Sequence, residues 1–173
     1  MVRLTQFASG LDEVHGFKLL ENCNESDYDQ ALNVGGATAL FDASVNAISA
    51  TSLYGADLNK NDFSANGIVV IITDGDDNNS SFSAHAVKDA LANVVRDEYL
   101  ESLITILIGV NINDRYISQR LQDFNSVVGF TQYIELDKAD AKTLAKLAEF
   151  VSKSISAQSQ SLGTGGPSQS LTI

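Results

Sequence analysis

The 173 residues, 44% apolar and 19% charged, have the composition of an ordinary globular protein with enough chain to bury one core, which excludes wholesale disorder. A formal net charge of −11 excludes sequence-independent binding to nucleic acid or to an anionic membrane, since both need Lys and Arg to meet phosphates. Cys23 is the single cysteine, so no internal disulfide can form, and no apolar run reaches the ~20 residues of a membrane span.

In chain order, Val2 to Phe7 (VRLTQF) alternates and reads as a strand. Gly35 and Gly36 open a loop, and Thr38 is the first hydroxyl before a helical pattern in which Leu40, Ala43, Ala47, Ile48 and Thr51 share one face. Five apolar residues, Ile68 to Ile72, form a buried strand that runs into Thr73, Asp74, Gly75 and Asp76. Val87, Ala90, Leu91 and Val94 mark a helix after Ser83, and Leu103 to Val110 (LITILIGV) has the continuous apolar character of a parallel strand covered on both faces. Ile117, Leu121 and Phe124 predict a shorter helix capped by Asn113. Thr131 to Leu136 (TQYIEL) alternates, as a strand at a sheet edge does. Leu144, Leu147, Ala148, Val151 and Ile155 predict a last helix with Asp140 at its N-cap. The expected domain spans 1–157, and residues 158–173, rich in Ser, Gln and Gly around the only proline, read as a flexible tail or linker.

This alternation of strand and helix periods predicts an α/β fold with a mostly parallel sheet. Such sheets keep ligands where strands end and the backbone turns, and Asp74 stands at such a turn. Thr38 supplies a second oxygen at the start of another element. Hydroxyl and carboxylate oxygens suit hard cations such as Mg²⁺.

The stretch GGATALFDA (Gly35 to Ala43), followed by the TDG run at Thr73 to Gly75, resembles the von Willebrand factor type A family. There the metal-ion-dependent adhesion site draws on a D-x-S-x-S loop after the first strand, a threonine in a GGTALYDA-like stretch, and the aspartate of a TDG run. The likeness covers about Arg3 to Ile155 and implies a Rossmann-like three-layer fold, a doubly wound, mostly parallel sheet with helices on both faces. It implies a metal site of Thr38 and Asp74 for Mg²⁺, or Mn²⁺ or Ca²⁺, in which Thr38 ligates the ion directly or through water and Asp74 accepts hydrogen bonds from its bound waters, with Gly35, Gly36, Gly75 and Asp76 shaping the loops. The ion would bridge to an acidic residue of a protein partner in a non-catalytic binding module. No aspartate opens D-x-S-x-S: Asp42-Ala-Ser44 and Asp62-Phe-Ser64 each end on asparagine. VRLTQF looks like the family's second strand, which would put the first strand and its motif upstream of Met1. The open edges left behind would then close by moving Val2 to Phe7 beside Ile68 to Thr73, or recruit a second copy or a complementing chain.

Other readings of the same residues stand beside this one. Thr38 can cap the helix that follows, and Asp74-Gly75 can be a plain turn. Asp76 and Asp77 read as solvated acids at the next helix's N-terminus. The run Asp74 to Asp77 also resembles the D-x-D-x-[TV] loop of haloacid-dehalogenase-like phosphatases, with Asp74 as nucleophile, Asp76 as acid and base, and Asn78 in place of Thr or Val. A structural module that has lost its metal site is a further alternative. His15 and His85 read as surface residues, and Asp57, Asn59 and Asn61 imitate a calcium loop that Asp62 and Ile68 break.

Overall fold

The computed structural model describes residues 1–31, 35–138 and 140–163. The chain opens with an antiparallel hairpin of β1 (Val2–Phe7) and β2 (Leu11–Lys18), in which Phe7 faces Leu11 and Val2 faces Lys18, with register shifts around Leu4. Two short 3₁₀ turns follow, Leu20–Asn22 and Glu25–Tyr28. The rest alternates as α1 (Leu40–Asn59), β3 (Asn66–Thr73), α2 (Ala84–Asp97), β4 (Ser102–Val110), α3 (Arg115–Val128), β5 (Gln132–Leu136) and α4 (Ala141–Gly163).

The strands form two sheets rather than one, β1-β2 and a parallel β3-β4-β5. In the parallel sheet Asn66 to Thr73 pairs residue for residue with Ser102 to Gly109, and Ile106 to Val110 with Gln132 to Leu136. The fold is therefore α/β, with β5 at an edge as its alternation predicts. The expected rearrangement that would set Val2 to Phe7 beside Ile68 to Thr73 does not occur.

Burial follows pairing. The central strand β4 is bonded on both sides, and its residues Ile104 to Gly109 are all buried, as its nearly all-apolar run predicts. β3 is bonded on one side only and alternates. Val69 and Ile71 are buried, whereas Ile72 is 45% exposed, so the five-residue apolar run is not covered throughout.

Val69, Ile71 and Leu107 join Leu40 and Ile48 of α1, Val87 and Val94 of α2, and Leu121 and Phe124 of α3 in one cluster. Ile104, Ile106 and Ile108, which alternate with these along the strand, pack with Leu147 and Phe150 of α4 in another. Each fully buried Leu or Ile contributes about 1.5–3 kcal/mol relative to exposure, so the β3–β4 pair with α1 and α2 is the stable heart of the domain.

The helix ends show which polar residues set the boundaries. The Ser83 hydroxyl accepts from Ala86 N–H at the start of α2, and the Asp140 carboxylate accepts from Thr143 N–H at 2.8 Å at the start of α4. At α3 the cap is Asp114, whose carboxylate accepts from Tyr116 N–H at 2.7 Å. The expected cap Asn113 instead donates to the Asn111 side chain, because Asp114 immediately precedes the helix in extended conformation and holds the capping position. α4 runs to Gly163, into the stretch expected as a tail; residues 164–173 lie outside the described residues. Among the described residues no helix is long and apolar enough to cross a membrane.

Candidate functional site

Three loops meet at the carboxyl ends of β1 and β3: residues 8–10, 35–39 and 74–83. The glycine loop is held to the first by Ala39 N–H donating to Ala8 C=O (2.7 Å) and Ala37 N–H donating to the Ser9 hydroxyl (3.2 Å). Gly35 and Gly36 sit at φ +117° and +94°, where an L side chain is strained, and a Cβ on Gly36 would lie 2.7 Å from Ser9 Oγ. These two glycines therefore let the loop take this path.

The glycine loop is tied to the third loop through the backbone of Thr38. Its N–H donates to Asn78 Oδ1 at 2.7 Å, and its C=O accepts from Asn78 and Asn79 N–H at 3.0 and 3.2 Å. Asn79 closes the triangle by donating its side-chain amide to Ser9 C=O at 2.6 Å. Thr38 is thus fixed by its main chain, and its half-buried side chain makes no hydrogen bond among the described residues.

Thr38 does not cap α1. The N-cap position belongs to Ala39, which has no side-chain bond to give. The capping is done from across the site: Phe41 N–H donates to Asp77 Oδ1 (3.1 Å) and Ser80 Oγ (3.0 Å), and Asp42 N–H donates to Ser80 Oγ (3.0 Å). The Ser80 hydroxyl in turn donates to Asp77. The Asp42 carboxylate returns the favour by accepting from Ser81 and Phe82 N–H at 3.0 and 2.8 Å.

Asp76 and Asp77 are consequently not solvated acids at the start of α2. Asp77 serves α1. Asp76 accepts from Asp77 N–H through one oxygen and pairs with Arg120 Nε of α3 through the other, at 2.8 Å. The Asp76 carboxylate beside it holds the Arg120 guanidinium still more firmly protonated than usual.

Asp74 is left over. It is exposed and has no hydrogen-bond or ion-pair partner among the described residues. Its turn is set by the Thr73 hydroxyl, which accepts from Gly75 N–H (3.2 Å) and donates to Gly75 C=O (2.9 Å). A Cβ on Gly75 would sit 3.6 Å from Thr38 Oγ1, so the Thr38 hydroxyl and the Asp74-Gly75 turn are neighbours across the corner.

Thr38 therefore lies beside the turn that carries Asp74, and Gly35, Gly36, Gly75 and Asp76 are in the surrounding loops. Ser9, Asn78, Asn79, Ser80 and Arg120 complete the framework; from sequence, Asn78 was noted only as a departure from the phosphatase loop, and the others were not singled out. The polar run Asn78-Asn79-Ser80 carries a turn signal that could have suggested loop-building residues; Arg120 has no local signal at all. Among the described residues no group of three or more His, Cys, Asp or Glu side chains could hold a metal ion.

Compared with protein-family models and with curated proteins, the chain matches none.

Proposed function

We propose that this chain is a domain of von Willebrand factor A type, Rossmann-like and three-layered with a doubly wound sheet, acting as a non-catalytic protein-binding module. Its corner at Thr38 and Asp74 is a partial metal-ion-dependent adhesion site for Mg²⁺, or Mn²⁺ or Ca²⁺, which bridges to an acidic residue of the partner. The observation that carries this reading is that the Thr38 hydroxyl is released from helix capping, the commonest duty of such a residue, and left unbonded beside the Asp74-Gly75 turn, whose aspartate is itself unpaired among the described residues.

The donor chemistry fits a hard cation. Thr38 offers a neutral oxygen and Asp74 a charged one, and a bound ion would complete its shell with water and one partner carboxylate. The ion supplies the attraction between two acidic surfaces that would otherwise repel. Two side chains fix too few oxygens for tight binding, so the expected affinity is millimolar or weaker.

The engagement of Asp76 with Arg120 supports a binding role over phosphoryl transfer. A general acid and base must reach its substrate, and both Asp76 oxygens are already engaged, one by Arg120 Nε and the other by Asp77 N–H, each at 2.8 Å.

The test is calorimetric titration with Mg²⁺ at fixed ionic strength on the parent chain and on Asp74→Ala. Weak binding that vanishes in the variant is the expected result. An affinity at or below about 10 μM that survives the substitution would overturn the assignment, because that demands more fixed oxygens than this corner offers.

A further inference from the structure

We propose that Arg120 is a positioning residue of the corner at Thr38 and Asp74: it holds the Asp76 carboxylate off the cation, and so leaves the bound ion a positive charge to present to the partner's acid. This rests on the cation reading above and brings into it a residue from another element.

Asp76 stands two residues after Asp74 on the same turn, so two carboxylates compete for an ion at this corner. They are not equivalent. Asp74 is exposed and has no partner among the described residues, whereas both oxygens of Asp76 are engaged: Oδ1 accepts from Asp77 N–H and Oδ2 from Arg120 Nε, each at 2.8 Å. The first bond is made with the next residue and fixes one oxygen only. The second reaches across 44 positions of chain to α3, where the neighbouring Leu121 and Phe124 are buried in the core and hold the helix in place.

The pair could do no more than tie α3 to the loop. With the arginine side chain 45% exposed, however, such an ion pair adds little to stability. Its effect on a neighbouring ion is more direct. A carboxylate bonded to a guanidinium has surrendered the lone pairs and the charge that would draw in a divalent cation.

A divalent ion held by Asp74 alone keeps one positive charge, which attracts the partner's carboxylate. A second carboxylate from Asp76 would cancel that charge and take up a coordination position. Cation affinity rises with the number of charged ligands, so without Arg120 the corner should hold the ion more tightly and the partner's acid less.

The test is a Mg²⁺ titration by NMR of the full chain at about 0.15 M salt, with Kd read from the amide shifts of Thr38 and Gly75. In Arg120→Gln, Kd should fall at least roughly fivefold, and the Asp77 amide, which is bonded to Asp76, should join the residues that shift. Glutamine suits an exposed helix position as arginine does, so the variant should keep the fold, and its amide spectrum checks this. Arg120→Lys keeps a charge beside Asp76 and should stay within about twofold of the parent. Adding Asp76→Asn to Arg120→Gln should restore the parent's weak binding, because the entering carboxylate is gone. Arg115→Gln removes the same charge from the start of α3 and should also leave Kd within about twofold, which separates a local ligand from the diffuse pull of an acidic surface. Acetate, standing for the partner's acid, should perturb the Thr38 and Gly75 amides of the Mg²⁺-loaded parent more than those of loaded Arg120→Gln.

An unchanged Kd in Arg120→Gln, an equal gain in Arg115→Gln, a gain that persists with Asp76→Asn, or an acetate response no weaker in the variant would overturn the role of Arg120 and leave the cation reading intact. Absence of any Mg²⁺-induced shift at Thr38 and Gly75 in the parent would overturn both.

Discussion

Thr38 and Asp77 show how far two residues of one corner can diverge in role. Thr38 is anchored by its backbone and its hydroxyl bonds nothing, so Thr38→Ala should cost less than about 0.5 kcal/mol in urea denaturation. Asp77 accepts from the first turn of α1 and from Ser80, and Asp77→Ala should cost about 1–2 kcal/mol. Equal losses in the two variants would show that Thr38 has a structural duty after all. Sequence pointed to both residues but gave Asp77 to the wrong helix. Proximity along the chain favours α2, whereas the three loops bring Asp77 against α1, and a contact between segments so far apart leaves no local pattern.

Elements with strong periodicity were legible, and their exceptions have physical causes. β4 reads directly from LITILIGV because its two covered faces favour apolar residues throughout, the one polar residue, Thr105, being buried and bonded to Thr131. β2 went unread because LDEVHGFK is half exposed and bonds only to β1, so neither an apolar run nor clean alternation marks it.

Gly67 illustrates a constraint that no pattern shows. A Cβ there would lie 2.8 Å from Leu103 Cδ1 and 2.9 Å from Thr51 Cγ2, wedging α1 off the sheet. Gly67→Ala should therefore destabilise by about 1–3 kcal/mol although alanine suits a strand better than glycine, and a neutral or stabilising result by thermal denaturation would refute this packing. The cap of α4 carries a pH signature. Thr143 N–H bonding holds the Asp140 carboxyl below its ordinary value of 3.8 in the folded chain. Its contribution is then complete above that value and is lost as pH falls through the lower, folded one. Amide exchange in the first turn of α4 should accelerate over that acidic window, and Asp140→Ala should show fast exchange at every pH.

At the scale of the whole molecule, the α/β class was legible but the division into two sheets was not, because strand pairing is decided between distant segments. Each strand is locally correct, and only the missing ladder between β1 and β3 reveals the break. The same limit applies to function. Thr38 and Asp74 could be chosen from sequence, but the loss of capping duty that frees Thr38 depends on Ser80 and Asp77 crossing the corner. If Asp74 were instead a phosphoryl-accepting nucleophile, an aryl phosphate would be hydrolysed in Mg²⁺ and Asp74→Asn would stop it. We expect no turnover above buffer in either protein, by chromogenic assay.

The central claim is that a divalent cation sits between Thr38 and Asp74, and paramagnetic broadening by Mn²⁺ tests it most directly, since it reports where the ion is. With a net charge of −11 the surface will gather cations diffusely, so the titration is run at about 0.15 M salt, where such attraction is screened beyond about 8 Å. Substoichiometric Mn²⁺ should broaden the amides of Thr38, Asp74 and Gly75 first, and Asp74→Ala should remove this selectivity while the fold persists. Broadening centred elsewhere, or unchanged at this corner in the variant, would contradict it.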